Sequence, residues 1–352
     1  MSTCRLPSRL YLDVTNACPL RCLHCCSSSG EPFARELTGE ELLGIVDQCH
    51  AMGVKNLVIS GGEPMLREDL MDILARAGAL GLGVTLLTSG VLMTEEAAAC
   101  LARQGVRVKI SLDGVKASSH DSLRGNGAFR AALKALELLQ SSGLKALSVH
   151  FTVHRGNFTE MTELPGLLSR LAVRNIVVGT IKPSGRAAAH GELLIPPAMI
   201  PYLKQKIRDL SDHGGLHLEN FTDRGWDGFG CPAKCSKFGI NAYGKATTCA
   251  FFSTEFLGGS VRESSLMELW EQYQARSGMF VPSKQCASCP ALADSGGGCR
   301  ARAYYYSGDI NGPDPHCCAL YEKMRFIEAH RPLVLEAARD AWAAFMGLRC
   351  EV

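Results

Sequence analysis

The sequence predicts an α/β fold: a curved parallel sheet of six β–α units followed by a smaller cysteine-rich domain. Two observations carry this reading. Over the first two-thirds of the chain, short β-branched runs alternate with segments whose apolar residues recur at three- and four-residue spacing. After about residue 215 the alternation gives way to Gly-, Pro- and Cys-rich segments, a domain held together by something other than a large apolar core.

The elements follow in order. Strands are expected at residues 10–14, 56–60, 84–88, 106–112, 147–153 and 175–180, and helices at 40–52, 69–80, 95–104, 129–140, 161–171 and 199–210. Thr38 caps the first helix, Glu40 and Glu41 occupy its first turn, and Gly53 stops it. Strands that alternate with helices lie parallel, and a curved or barrel sheet of this kind carries its functional loops at the strand C-terminal ends. The expected division is a barrel over residues 1–215, a cysteine-rich domain over 216–330 and a helical tail over 331–352.

With 352 residues, 46% of them hydrophobic and 20% charged, the chain can bury a substantial core. Its net charge of +2 gives no electrostatic reason to expect nucleic acid or an anionic membrane as partner. The first residues lack the apolar run of a secretory signal, and no stretch reaches the roughly 20 apolar residues that span a bilayer. The expected location is cytoplasmic, where clustered cysteines serve metal or redox chemistry rather than a disulfide framework.

Ten of the sixteen cysteines fall into three spaced groups. The first, Cys18, Cys22 and Cys25, follows the first expected strand. A [4Fe–4S] cube normally takes four thiolates, so three of them leave one iron open to bind and activate another molecule. The same spacing would also align three core cysteines on one face of a helix, but Thr15, Asn16 and Pro19 suit a loop leaving a strand. The second group is Cys231, Cys235 and Cys249, and the third is Cys286, Cys289, Cys299 and Cys317. Such thiolates suit either iron–sulfur clusters or structural zinc. Cys49 and Cys100 fall within helical patterns as small core residues; Cys4, Cys26 and Cys350 take no ligand role, and Cys318 would replace Cys317 if the register slipped by one.

Further motifs stand at the ends of successive strands. Gly61, Gly62, Glu63 and Pro64 follow the second, Thr88-Ser89-Gly90 ends the third, and Ser111-Leu112-Asp113-Gly114 ends the fourth, with His120 and Arg124-Gly125 shortly beyond. Each alone is an ordinary loop feature.

Together these residues resemble the radical S-adenosylmethionine enzymes, whose signature is the spacing of Cys18, Cys22 and Cys25. The later cysteine groups, with Gly244 five residues before Cys249 and three glycines before Cys299, resemble the SPASM domain that carries two auxiliary iron–sulfur clusters. The fold that the resemblance implies is a partial (β/α)6 TIM-like barrel followed by the auxiliary-cluster domain. By the same resemblance, Gly61, Gly62, Glu63 and Pro64 would hold the methionine ammonium of S-adenosylmethionine, Ser111 and Arg124 would contact its ribose or carboxylate, and the backbone at His24 would face adenine.

Three iron–sulfur clusters are implied. The first would sit on Cys18, Cys22 and Cys25, auxiliary cluster I on Cys231, Cys235, Cys249 and Cys299, and auxiliary cluster II on Cys286, Cys289 and Cys317. Where the family has one more cysteine for cluster II, this chain has Ser295. Asp294 beside it would supply a carboxylate ligand, or the iron is left open, or Asp294 only caps a turn.

The implied activity is reductive cleavage of S-adenosylmethionine to a 5′-deoxyadenosyl radical that abstracts a substrate hydrogen, fed by a reductant such as flavodoxin or ferredoxin. The expected substrate is a ribosomal peptide or protein, and tetrapyrrole side-chain modification is the alternative. A first strand that begins by about Leu10 leaves no room for a peptide-recognition domain before it, so a separate recognition protein is expected; a small-molecule substrate would need none. A non-catalytic electron carrier with three clusters is a reading of another class, and Gly61, Gly62, Glu63 and Pro64 count against it because a carrier has no use for a cofactor turn.

Overall fold

Along β1 (Arg9–Asp13) Leu10 and Leu12 are wholly buried while their neighbours stay partly open, the period-two pattern of a strand with helices on one face. The computed structural model describes residues 6–212, 215–219, 221–222, 225–226, 238–247, 249, 251, 258–276, 281, 284–289, 292 and 297–318. From β1 the chain alternates as the sequence predicts: α1 (Gly39–Ala51), β2 (Asn56–Ser60), α2 (Leu70–Ala79), β3 (Gly83–Thr88), α3 (Glu95–Arg103) and β4 (Arg107–Ser111). Then come α4 (Ala117–Arg124), α5 (Ala128–Ser141), β5 (Leu147–Val153), α6 (Leu164–Arg170), β6 (Asn175–Thr180) and α7 (Ile200–Asp212).

The six strands pair in chain order, all parallel, with Leu12 beside Ile59, Ile59 beside Leu86 and Ile110 beside Val149. Those apolar side chains pack under the helices as one continuous core. Alternate residues such as Asp13, Lys109 and Ser111 belong to the other, more open face.

Two local features depart from the periodicity. α4 was not foreseen, because only His120 and Leu123 of its eight residues are buried and no apolar period marks it. The helix expected at 161–171 is split into a short 3-10 turn (Phe158–Thr162) and α6, which places Pro165 in its first turn, where a missing N–H leaves no bond unmade.

Past residue 215 the chain returns to the same sheet at both edges. β7 (His217–Leu218) lies parallel to β6, while β8 (Phe221–Thr222) and β9 (Gly225–Trp226) form a separate antiparallel pair. β10 (Phe238–Ile240) runs parallel to β1 on the opposite edge, and β11 (Ala246–Thr247) runs antiparallel to β10. Strands of two or three residues carry too few positions for a readable period, so the sequence gives no sign of them. α8 (Leu266–Arg276), α9 (Lys284–Ala287) and α10 (Arg300–Ser307) follow. The tail expected at 331–352 lies outside the described residues. Among those described, no helix is long and apolar enough to cross a membrane.

The start of α1 joins the two parts of the chain. Thr38 Oγ1 accepts from the Glu41 N–H at 3.2 Å, and the Glu41 carboxylate accepts from the Thr38 N–H at 2.8 Å, a reciprocal cap. Arg262 donates to the same carboxylate and to the Glu36 and Tyr243 carbonyls, both at 3.2 Å. Replacing Thr38 with Ala is expected to cost about 1 kcal/mol. Urea denaturation should show a lower midpoint with an unchanged slope; an unchanged midpoint would mean that Arg262 holds the turn without the cap.

Candidate active site

Residues 14–38 leave β1 at its C-terminal end and carry Cys18, Cys22 and Cys25 with no helix or strand of their own. Such a loop needs its polar groups satisfied elsewhere, and here they are. The Glu36 carboxylate accepts from Thr15 Oγ1 at 2.7 Å and from the Asn16 N–H at 2.6 Å, and the Cys18 N–H donates to the Gly30 carbonyl at 2.8 Å. Arg67 Nη1 donates to Val14 and Leu37, which stand at the two ends of the loop, both at 3.1 Å. Arg186, after β6, donates from Nε to the Cys22 carbonyl at 2.9 Å, from Nη1 to Ser29 at 2.8 Å and from its backbone to Cys25 at 3.0 Å.

Against this loop lies the double-glycine turn after β2. The Gly62 N–H donates to the Thr15 carbonyl at 2.7 Å and the Glu63 N–H to the Ala17 carbonyl at 2.8 Å. A Cβ on Gly61 would stand 2.3 Å from the Thr15 oxygen, and one on Gly62 would stand 2.2 Å from that of Ala17. Glycine is required at both places by the close passage of two backbones, and Gly61 also has φ of +133°.

Glu63 is fully buried. Its Oε1 accepts from Thr88 Oγ1 at 2.6 Å and the Met65 N–H at 3.2 Å, and its Oε2 accepts from the Ser89 N–H at 2.9 Å and the Ser89 hydroxyl. All four acceptor positions of the carboxylate are thus filled from within the chain, so an ammonium arriving there takes the place of one donor. The sequence set Glu63 and Thr88-Ser89 side by side as separate motifs; their direct bonding emerges only in the fold.

At the end of β4, Asp113 is buried beside Arg124, whose Nε donates to Oδ2 at 2.6 Å. Burial opposes charge on this carboxyl, but the Arg124 guanidinium together with the other groups around it, the Thr152 N–H among them, holds it well below the usual carboxylate range. Burial, then Arg124, pushes the His24 imidazole down to about 3, so its ring is neutral at pH 7 and its 3.4 Å approach to Asp113 is not an ion pair. Arg124 Nη2 lies 3.3 Å from His24 Nε2. A guanidinium only donates, so Nε2 accepts and the ring proton belongs on Nδ1. That Nδ1 is buried and has no partner among the described residues.

These observations fit an iron–sulfur cluster and its cofactor. Burial raises the pKa of the Cys18 and Cys22 thiols, and Arg124 partly offsets it at Cys22, so their thiolates need a metal to take up the charge. The Ser29 N–H already points at Cys25 Sγ, at 3.4 Å. None of the described cysteines is in a disulfide. Among the described residues no three His, Cys, Asp or Glu side chains converge on a single ion.

Of the later groups, Cys231, Cys235 and Asp294 lie outside the described residues, as does Ser295. Cys286 on α9 and Cys299 at the start of α10 are buried, while Cys249, Cys289, Cys317 and Cys318 are half-buried. The Cys299 N–H donates to Asp314 Oδ2 at 2.7 Å, and the same carboxylate forms a wholly buried pair with Arg302, Nε to Oδ1 at 2.6 Å. Glu36, Arg67, Arg186 and Asp314 are among the supporting residues to which the sequence assigns no role, because nothing local says what any of these side chains would reach. Cys49 is a core residue as expected, its thiol pushed up to about 12 by burial.

Three thiols at the mouth of a parallel α/β sheet, on a loop locked against a double-glycine turn, are the donor set of an iron–sulfur enzyme of the barrel type. Comparison with known proteins makes the class specific. Residues 12–163 match the Radical SAM superfamily, and residues 231–290 match SPASM, an iron–sulfur cluster-binding domain. The mycofactocin maturase MftC of Mycolicibacterium smegmatis is 31% identical over 332 residues, covering 88% of this chain and 82% of its own. The chain belongs to the radical SAM superfamily and is a radical SAM enzyme with a SPASM region. The AdoMet-dependent heme synthase of Methanosarcina barkeri is 28% identical over 341 residues, covering 88% of this chain and 96% of its own. The solved structure of Streptococcus suis SuiB bound to precursor peptide SuiA shares the fold, with a TM-score of 0.72 over 89% of this chain and 76% of that one at 18% identity.

Two outcomes are expected from this geometry. Gly62→Ala places a methyl group against the Ala17 carbonyl and should lower the iron bound after reconstitution, whereas Gly78→Ala, with open space around it, should not. Equal iron in the two variants would show that the loop yields without cost. His120 is buried, and burial followed by Arg124 lowers its pKa from 6.5 to about 4. The folded state is therefore neutral there while the unfolded chain protonates first. The resulting stability is fully present above about pH 6.5 and is lost as pH falls towards 4, by about 1.4 kcal/mol per unit. Denaturation across that window should be less pH-dependent in His120→Gln; an identical slope would exclude His120 as the source.

Proposed function

We propose that this enzyme holds three iron–sulfur clusters, binds S-adenosylmethionine against the first, and modifies a ribosomally made peptide or protein by hydrogen abstraction. The observation that carries the cofactor reading is the crossing of the cysteine loop with the double-glycine turn, joined by the bonds of Gly62 and Glu63 to Thr15 and Ala17. Cys18, Cys22 and Cys25 would hold the first cluster. Gly61, Gly62, Glu63 and Pro64 would hold the methionine ammonium, with Glu63 exchanging one of its internal donors for it. Arg124 and Ser111 would orient the carboxylate or ribose, and the backbone at His24 would meet the adenine. When bound, the cofactor and reduced cluster supply a 5′-deoxyadenosyl radical that takes a hydrogen atom from the substrate. The chain's part is to aim that chemistry and keep water from it.

Auxiliary cluster I would rest on Cys231, Cys235, Cys249 and Cys299, and cluster II on Cys286, Cys289 and Cys317, with Asp294 or an open iron as the fourth position. A flavodoxin or ferredoxin would supply electrons. The division at about residue 215, with a tail from about residue 331, remains the domain reading.

A cavity of about 740 Å³ lies between the cysteine loop and the C-terminal segment, bordered by Ser28, Phe33, Tyr243, Tyr304 and Tyr305. Asp13 is the only charged residue among its described lining, which contains no Lys or Arg. A tetrapyrrole brings several carboxylates, which need cationic partners when they leave water. A peptide segment brings amides and hydroxyls that Ser, Asn and Tyr can meet. The likeness to the heme synthase keeps the tetrapyrrole as the second reading, and the lining favours the peptide.

Anaerobic reconstitution followed by reduction with S-adenosylmethionine should yield 5′-deoxyadenosine. Replacing Cys18, Cys22 and Cys25 together with Ala should abolish it while auxiliary iron stays bound. Product from the triple variant would sink the cluster assignment, and none from the wild type would favour the electron carrier. Stimulation by a candidate precursor peptide rather than by a carboxylated porphyrin decides the substrate class.

A further inference from the structure

Asp113 is where the cluster loop and the Arg124 arm meet. Its Oδ1 accepts from the Thr152 N–H at 2.8 Å and its Oδ2 from Arg124 Nε at 2.6 Å. Its own N–H donates to His120 Nδ1 at 3.0 Å, and Asn157 Nδ2 donates to its carbonyl at 2.9 Å. With one oxygen committed to β5 and the other to the guanidinium, the carboxylate cannot turn without breaking a bond. Arg124 closes α4, and from there two consecutive residues hold two consecutive residues of the cysteine loop. The Leu123 carbonyl accepts from the Leu23 N–H at 2.9 Å, and Arg124 Nη2 meets His24 Nε2 at 3.3 Å. Leu23 and His24 are the residues between Cys22 and Cys25.

We infer that Asp113 is a positioning residue that makes the cysteine loop and the Arg124 guanidinium one unit, so that cofactor binding and the placement of the first cluster are coupled. The inference rests on the cofactor reading above and adds a residue that the reading does not use. The guanidinium has two ways to spend its N–H groups, on protein or on cofactor. Fixing Nε on Asp113 and one Nη on His24 leaves the remaining donors aimed in one direction. By reciprocity, a loop displaced from Arg124 should weaken cofactor binding, and bound cofactor should steady the loop.

The test is a double-mutant cycle on the reconstituted enzyme, read by equilibrium binding of S-adenosylmethionine, by iron content and by the electron paramagnetic resonance of the reduced first cluster. Asp113→Asn keeps the acceptor for Thr152 and removes the charge that fixes Arg124. It should bind the cofactor on the order of tenfold more weakly, and the cofactor should perturb the cluster spectrum less at a concentration that saturates the wild type. Arg124→Gln should weaken binding to a similar degree, and the double variant should be no weaker than Arg124→Gln alone. Asn157→Ser, which loosens the same turn without touching the carboxylate, should lower the melting temperature and leave cofactor affinity unchanged.

Should Asp113→Asn fail to fold because a buried guanidinium is left uncompensated, the double variant, which carries neither charge, should fold, hold its clusters and match Arg124→Gln in affinity. Wild-type affinity and spectrum in Asp113→Asn would overturn the inference. So would a double variant whose loss equals the product of the two single losses, since Asp113 would then act independently of Arg124. A wild-type protein that does not bind the cofactor overturns this inference together with the reading beneath it, and that result is distinct from the other two.

Discussion

The close passage of two backbones at the head of β1 and β2 is the constraint on which the rest of the site depends. A Cβ on either Gly61 or Gly62 would fall well inside the contact distance of a carbonyl oxygen from the cysteine loop. Because both partners are backbone, no rotamer change can relieve the clash. The loop is consequently read directly by the turn, through the bonds of Gly62 and Glu63 to Thr15 and Ala17. A three-cysteine loop with no helix or strand of its own acquires a defined shape from this contact, from the Glu36 carboxylate and from the Arg67 and Arg186 guanidinium groups.

The supporting charges follow one physical rule. Asp113 with Arg124, and Asp314 with Arg302, are buried pairs at the two places where thiols gather. Breaking such a pair leaves an uncompensated charge in a medium that cannot solvate it, which is far more costly than losing a surface ion pair. In both pairs the carboxylate also accepts a backbone N–H, from Thr152 in one and from Cys299 in the other. The arrangement therefore fixes backbone as well as charge. At Cys299 the fixed backbone belongs to a proposed cluster ligand; in the other pair it belongs to Thr152 of β5, and the link to the cysteine loop runs through Arg124 and His24.

The shared fold with SuiB and the likeness to both MftC and the heme synthase show how little the scaffold says about substrate. What distinguishes the readings is the chemistry of the cavity wall. Aromatic and hydroxyl side chains with a single carboxylate form an environment into which a polyanion moves only at a desolvation cost that no Lys or Arg of the described lining offsets.

The sequence by itself determined the order of strands and helices, the cap at Thr38, and the residue types of the site, because each depends on periodicity or spacing within a few positions. The six strands fall within one residue of their expected ends, and the double glycine and Cys18, Cys22 and Cys25 come together at one end of the sheet. Tertiary structure alone decided what those residues touch. α4 has no apolar stripe, β10 is three residues long, and Arg186 lies far along the chain from the Cys22 carbonyl it holds. Long-range pairing is set by which buried polar groups find partners once the core has closed, and no local pattern encodes that choice. The same reason explains why Glu63 is legible as a site residue from sequence while its four internal donors, and the bridging place of Asp113, are not.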